Sequence, residues 1–510
     1  MGQLTTLSLT VAALFITYHA LSYVQRRFAR SRKSKSLGCK EPPRYPHIDP
    51  VFGWDLFFDN VKALQGKRFL QNFKERFDSY GQTFSCIAMG REAFATNDPL
   101  NMQTVHGLKF DDYGVQPIRQ APTSPFMGEG VFNMDGPYWQ HSRALLRPTF
   151  TRTNVANLPA FEVHLEKFLK LVPVDGSTVD LKPLLYNLFL DTSTEFLFGE
   201  SMHTLDPETP FGTTKFLEAF HYCQSGMGLR IQMGRLRFLH RDKKWYKSIQ
   251  IAHAFADKYV DKALAYREKY LARQNSKSEQ QDDSEGRYIL LHEMAKETGD
   301  RVELRSQVIQ VFLAGHDSSA ITITNIMFHL CRNPERWAKL RKEVLTVGKN
   351  ELTFETLKDM HYLQFIIKET LRLHPVAPTD TRIALRDTIL PTGGGEDGKS
   401  PILVTAGQAV ISSTHALHRR PEHWGKEDVE LFVPERWETC RPGWHYQPFG
   451  GGIRICPGQN LALTEVAYVI ARFAQEWKEI TCKDETWEWV ESMKITASSA
   501  NGCKLGITPA

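Results

Sequence analysis

The sequence predicts a mainly helical fold with small peripheral β-sheets, forming one large domain behind an N-terminal transmembrane helix. Three observations predict it. Long helix-like runs dominate the chain, the strand-like runs are short, and no linker-like segment marks a second domain. At 510 residues the chain exceeds the usual size of one core, so a single domain here must be an unusually large helical one.

The first element is Leu4–Val24, an uncharged run of 21 residues, 14 of them apolar. At ~1.5 Å per residue such a helix just crosses a hydrocarbon core of ~30 Å. Residues 25–44 follow with eight Lys and Arg against one acid, Glu41. Positive residues stay on the cytosolic side, so residues 1–24 read as an anchor in the lipid bilayer with the rest of the chain in the cytosol. Met1-Gly2-Gln3 carries no side-chain charge, which argues against a cleaved leader. Residues 25–49 form a basic and proline-rich hinge, stiffened by Glu41-Pro-Pro-Arg-Tyr-Pro46, and residues 50–510 form the globular body. The basic segment carries +7 of the net +5, leaving −2 elsewhere, so no basic surface remains for a nucleic acid and none is expected as a partner.

Within the body, helices are predicted over residues 64–80, 138–146, 155–171, 183–198, 214–226, 244–273, 303–332, 334–347, 363–373 and 460–476. Residues 274–287 are polar and charged, and read as a solvated loop. Strands are predicted over residues 83–89, 402–405 and 409–414, and residues 494–498 are expected to face 504–508 in a hairpin turned by Asn501-Gly502. Eight scattered cysteines without a C-x-x-C pair, and the absence of any N-x-S/T acceptor, fit a reducing compartment and indicate neither a zinc site nor a disulfide framework.

One cysteine stands apart. Phe449-Gly-Gly-Gly-Ile-Arg-Ile-Cys-Pro-Gly458 is a glycine-rich loop leading into a helix. Pro457 suits the first position of that helix, which would place Cys456 at its N-terminus, where free N–H groups favour a metal-binding thiolate. Gly452 and Gly458 would let the backbone approach a flat macrocycle, Arg454 offers a cation to a carboxylate, and Phe449 can shield the sulfur. The bland reading of the same residues is a glycine-rich turn with a buried cysteine.

This F-x-x-G-x-R-x-C-x-G pattern resembles the haem-ligand loop of the cytochrome P-450 superfamily, and three more motifs agree in family order. Glu369-Thr-Leu-Arg372 resembles its E-x-x-R, Pro434-Glu-Arg-Trp437 its P-E-R-F, and Trp139-Gln-His-Ser-Arg143 its W-x-x-x-R. The resemblance implies a single cytochrome P-450-type haem domain holding haem b, with iron on Cys456, and monooxygenase activity on an apolar small molecule. It implies that Arg454, Trp139, Arg143 and Arg382 face the propionates, and that Glu369, Arg372 and Arg436 form a structural cluster. Ala314-Gly-His-Asp-Ser-Ser319 resembles the family's oxygen-activating A-G-x-D/E-T-T, which implies proton relay by Asp317 and Ser318; Ser318 stands where threonine is usual. His316 between them reads as a core or helix-surface histidine rather than a second iron ligand.

Gly393-Gly-Gly-Glu-Asp-Gly-Lys-Ser400 matches a phosphate-loop pattern, but the residues after it, Pro401-Ile-Leu-Val-Thr405, read as a strand rather than the required helix, so no nucleotide is expected to bind directly. Electrons should therefore come from a membrane-bound NADPH-dependent reductase in the endoplasmic reticulum, as the resemblance implies. Asp49–Phe58, Leu390–Gly398 and Ala416–Arg420 are similar to the fungal subgroup that hydroxylates n-alkanes and fatty acids. Val376-Ala-Pro-Thr-Asp-Thr381 departs from that subgroup's Pro-Arg-Asn-Phe character, which keeps open a tailoring monooxygenase of fungal secondary metabolism. A haem protein without oxygenase activity would have no use for the Asp317-Ser318 pair.

Overall fold

The computed structural model describes residues 27–276, 288–348, 351–425 and 429–510, together with Thr17, Tyr18, Leu21 and Gln25. The predicted anchor over Leu4–Val24 thus lies outside the described residues, Thr17, Tyr18 and Leu21 excepted, and among the described residues no helix is long and apolar enough to cross a membrane. Most of the predicted 274–287 loop also lies outside them.

The helical prediction holds for the body. The main core joins Leu158–Leu171, Leu181–Phe198, Ser318–Leu330, Pro334–Val344, His361–Leu373 and Gln459–Glu476 around buried residues such as Leu185, Ile326, Leu363 and Phe473. A second core joins Phe211–Met233, Lys243–Ser276, Leu290–Glu297 and Arg301–Gly315 around Trp245, Phe220 and Phe312. The expected helix over residues 64–80 is in fact two, Trp54–Gln65 and Phe69–Tyr80, because the chain turns at Gly66 and Lys67, the latter at φ 54°.

The largest sheet has five strands, in the order Thr83–Ala88, Arg91–Thr96, Ala409–Ser413, Thr379–Ala384 and Tyr113–Gly114. Thr379–Ala384 was not legible as a strand because Asp380, Thr381 and Arg382 break its apolar run; its hydrogen bonds to Ala409–Ser413 impose it. The proline-rich segment does not hang free, since Ser85 N–H donates to Pro43 O at 2.8 Å and Tyr45 N–H to Ser85 O at 2.9 Å. Strands Thr388–Gly394 and Ser400–Val404 pair antiparallel around the Gly393–Ser400 run, so the phosphate-loop pattern is a hairpin turn.

The predicted C-terminal hairpin is corrected. Ala497–Ser499 pairs with Glu491–Met493, whereas Lys504–Pro509 pairs with Trp477–Cys482 and Val179–Asp180. Asn501-Gly502 still turns the chain, but between two sheets: Cys503 N–H donates to Asp180 Oδ1 at 2.8 Å and draws the final strand away.

Candidate active site

The central helix breaks where the small residues occur. Arg301–Gly315 and Ser318–Leu330 are separate helices joined at His316 and Asp317, so the helix expected over residues 303–332 is interrupted within Ala314–Ser319. Ser318 Oγ donates back to Ala314 O at 3.0 Å, which occupies a carbonyl of the preceding turn at the break. His316 is core: it is buried, its Nδ1 lies 2.9 Å from Phe312 O, and its ring stacks on Phe312 with centroids 5.1 Å apart. Asp317 Oδ2 accepts from Thr496 Oγ1 at 3.2 Å while Oδ1 is buried without a partner among the described residues, and burial raises its carboxyl above the ordinary range.

Glu369 lies at the centre of a saturated polar cluster. Arg372 grips its carboxylate with two hydrogen bonds of 2.9 Å, Arg436 Nε adds one at 2.9 Å, and Val433 N–H and Trp437 Nε1 add others at 2.9 and 3.1 Å. Arg372 spends its remaining donors on the carbonyls of His418, Val429 and Leu431. The side chains of Glu369 and Arg372 are wholly buried, so the pairing and hydrogen bonds have to offset the loss of water.

His418, part of the Ala416–Arg420 run, carries this cluster to the cysteine loop. Its Nε2 accepts from Gln447 N–H at 2.8 Å, so the proton sits on Nδ1 and is donated to Arg372 O at 3.1 Å. Burial, reinforced by the Arg372 charge, pushes its pKa down to about 3 and keeps the ring neutral. Tyr446 Oη donates to Lys368 O at 3.0 Å, a second tie between this helix and the loop.

The loop itself closes on a bond from Cys456 N–H to Phe449 O at 3.0 Å, with Phe449 packed half-buried against the main core. The helix after it begins at Gln459 with Gly458 as N-cap, so Pro457 precedes the helix and Cys456 lies two residues before the cap, not at its first turn. Gly452 and Gly458 are needed for protein contacts: a β-carbon would meet His106 O at 1.9 Å from Gly452, where φ is 67°, and the Phe150 ring at 3.3 Å from Gly458. Burial raises the Cys456 thiol, opposed by the Gly458 N–H and the Arg143 guanidinium, the two groups here that favour a thiolate.

Arginines converge beside this loop. Arg454 donates to Asp135 Oδ1 at 2.6 Å and Met134 O at 2.8 Å, and lies over the Trp139 ring at 4.6 Å. Arg382 and Arg119 both pair with Asp380, at 2.5 and 2.6 Å. Burial, reinforced by the nearby Arg382 and Arg119 charges and opposed by Asp135, brings Arg454 down to about 10. Three guanidiniums against Asp135 and Asp380 leave a net positive charge. Arg119, on the helix Gln116–Met127, escaped sequence reading because Pro122 and Pro125 obscured that helix.

These residues fit a haem. The Cys456 side chain is solvent-open although the protein around it raises its thiol by burial, and Ala314 and Ala377 are likewise exposed. Arg143 is half-buried, with no hydrogen bond or ion pair among the described residues. Among the described residues no group of three or more His, Cys, Asp or Glu is placed to hold a metal.

The cytochrome P450 family model matches residues 44–499. The chain belongs to the cytochrome P450 family. Cytochrome P450 monooxygenase fsdH of Fusarium heterosporum is 38% identical over 511 residues, covering 99% of this chain and 88% of that protein. Cytochrome P450 52A12 of Debaryomyces hansenii is 36% identical over 517 residues, covering 97% and 96%, and cytochrome P450 monooxygenase apdE of Emericella nidulans is 34% identical over 496 residues, covering 97% and 93%. This cytochrome P450 is therefore a haem-thiolate monooxygenase that inserts one oxygen atom of O2 into an apolar substrate, with electrons supplied by a reductase partner.

Proposed function

We propose that this monooxygenase hydroxylates a long-chain fatty acid or alkane at the endoplasmic reticulum membrane, with Cys456 as the iron ligand and Asp317 and Ser318 as the proton-delivery pair. The carrying observation is the bare Cys456 thiol beside Arg143, in a loop tied through His418 to the Glu369 cluster. When bound, haem supplies the iron at which O2 is reduced, and a thiolate ligand favours cleavage of the O–O bond. The residues do the rest. Arg454, Arg382, Arg143 and Trp139 would bind its carboxylate edge, Phe449, Gly452 and Gly458 would shape the loop against it, and Glu369, Arg372 and Arg436 would hold that loop in register. Asp317 would give up its proton and Ser318 would hold the helix open.

The fatty acid or alkane reading rests on the similarity to cytochrome P450 52A12 and on the apolar packing next to the helix break, where Phe312 stacks on His316 and meets Phe220 at 4.8 Å. The polar strand Thr379–Ala384 favours a second reading, tailoring of a fungal secondary metabolite. Membrane attachment would use residues 1–24, with residues 25–49 leading to a catalytic domain at 50–510 that faces the cytosol. It is supported by exposed Phe238, Leu239 and Leu236 beside a groove of about 680 Å³ lined by Arg230, Arg235, Arg237 and Arg241. The electron donor would be a membrane-bound NADPH-dependent reductase.

The test is the carbon monoxide difference spectrum of the reduced protein beside Cys456→Ser, followed by turnover of fatty acids, alkanes and polyketides with a reductase. A red-shifted Soret band lost in the variant supports Cys456 as ligand; an unshifted band in the parent overturns it. Oxidation of polyketides alone would select the second reading.

A further inference from the structure

The carboxyl of Asp317 is held from outside its own helix. Of the three polar side chains at the break, His316 Nδ1 is bonded to Phe312 O and Ser318 Oγ to Ala314 O. Asp317 is tied instead across 179 residues of sequence: Oδ2 accepts from Thr496 Oγ1 at 3.2 Å, leaving Oδ1 buried and unpartnered among the described residues. Thr496 sits in the turn between Glu491–Met493 and Ala497–Ser499, where Lys494 N–H donates to Thr496 O at 3.0 Å. The next residue, Ala497, donates its N–H to Val376 O at 2.9 Å, so one hairpin touches both the break in the central helix and the segment leading to Ala377. His316 and Lys494 also act on the carboxyl, and Tyr186 faces it from the helix Leu181–Phe198.

We propose that Thr496 is the positioning residue for the Asp317 carboxyl: its hydroxyl fixes Oδ2 and leaves Oδ1 to carry the transferable proton, which makes this hairpin part of the proton-delivery site. The inference rests on the reading of Asp317 as proton donor. In the step, the Asp317 O–H bond breaks, its electron pair stays on the carboxylate, the proton goes to the oxygen being reduced, and a solvent proton restores the acid. A donor whose geometry is set by a separate strand is insensitive to small movements of the broken helix, which is what a bonded hydroxyl at the hairpin turn provides.

The test compares Thr496→Val, Thr496→Ser and Asp317→Asn in the full-length haem-loaded protein, with two readouts. The first is the infrared carbonyl stretch of the Asp317 carboxyl, identified by its loss in Asp317→Asn. The second is turnover, with the share of electrons lost to hydrogen peroxide. Thr496→Val should move the Asp317 band to higher frequency and lower kcat about tenfold at unchanged KM with more peroxide, the equivalent of one hydrogen bond to an ionisable group, and Thr496→Ser should restore both. An unmoved band together with kcat within about twofold of the parent would overturn the role of Thr496. Parental turnover in Asp317→Asn would instead remove Asp317 as donor, a failure distinct from the first.

Discussion

Two polar sites of this molecule lie on helices that pack together and follow opposite rules. Around Glu369 every acceptor and donor is committed: five hydrogen bonds converge on one carboxylate, and Arg372 reaches three further carbonyls. Around Asp317 one oxygen has no partner among the described residues, the helix is broken, and the nearby Ala314 is exposed. The first arrangement makes a buried charge tolerable and rigid; in the second, burial raises a carboxyl that has few partners. Glu369 is wholly buried and fully satisfied, whereas Asp317 is partly buried with one carboxyl oxygen unpartnered among the described residues, the contrast expected between a structural and a chemical carboxylate.

The comparison breaks first at its rigid end. Glu369→Ala leaves Arg372 and Arg436 facing each other without their shared anion, and should cost about 5 kcal/mol, read as loss of the folded, haem-binding state in denaturant titration. Haem binding and a denaturation midpoint close to the parent's would mean that the cluster is not structural.

Glu465 sharpens it. This carboxyl has Ser319 Oγ at 3.3 Å as its partner, and burial raises it from 4.5 to about 8. A carboxyl raised on folding stabilises the protein fully below its unfolded pKa and loses that contribution as pH rises through the folded one. Stability of the parent should therefore fall between about pH 4.5 and 8 relative to Glu465→Gln, by roughly 4 kcal/mol, in urea titrations across that window. Parallel curves for the two proteins would show that Glu465 ionises freely.

At the chemical end, Asp317→Asn should lower kcat about 100-fold while leaving thermal stability at or above that of the parent, because a poorly satisfied buried acid is removed. A large fall in melting temperature would return Asp317 to the structural class. The smallest effect is expected from Ser318→Thr: the added methyl restricts χ1 and should raise the share of electrons reaching product by about twofold or less, seen in the ratio of product to peroxide.

Much of this protein was legible in one dimension because its chemistry is local. The Phe449–Gly458 loop, the Glu369 and Arg372 pair and the broken Ala314–Ser319 turn are each set by residues a few positions apart, and spacing alone brings their side chains together. Long helices were legible for the same reason, since their period is a property of the chain. Thr379–Ala384 and the pairing of the last strands were not, because hydrogen bonds to distant segments override weak local preference. His418, Arg119 and Thr496 also became visible only in three dimensions. Each acts through a partner far away in sequence: Gln447 and Arg372 for the first, Asp380 for the second, Asp317 for the third. The sequence by itself determined which groups are candidates for the chemistry, because their motifs are local; tertiary structure decided which groups hold them, since long-range contacts carry no periodic trace in the chain.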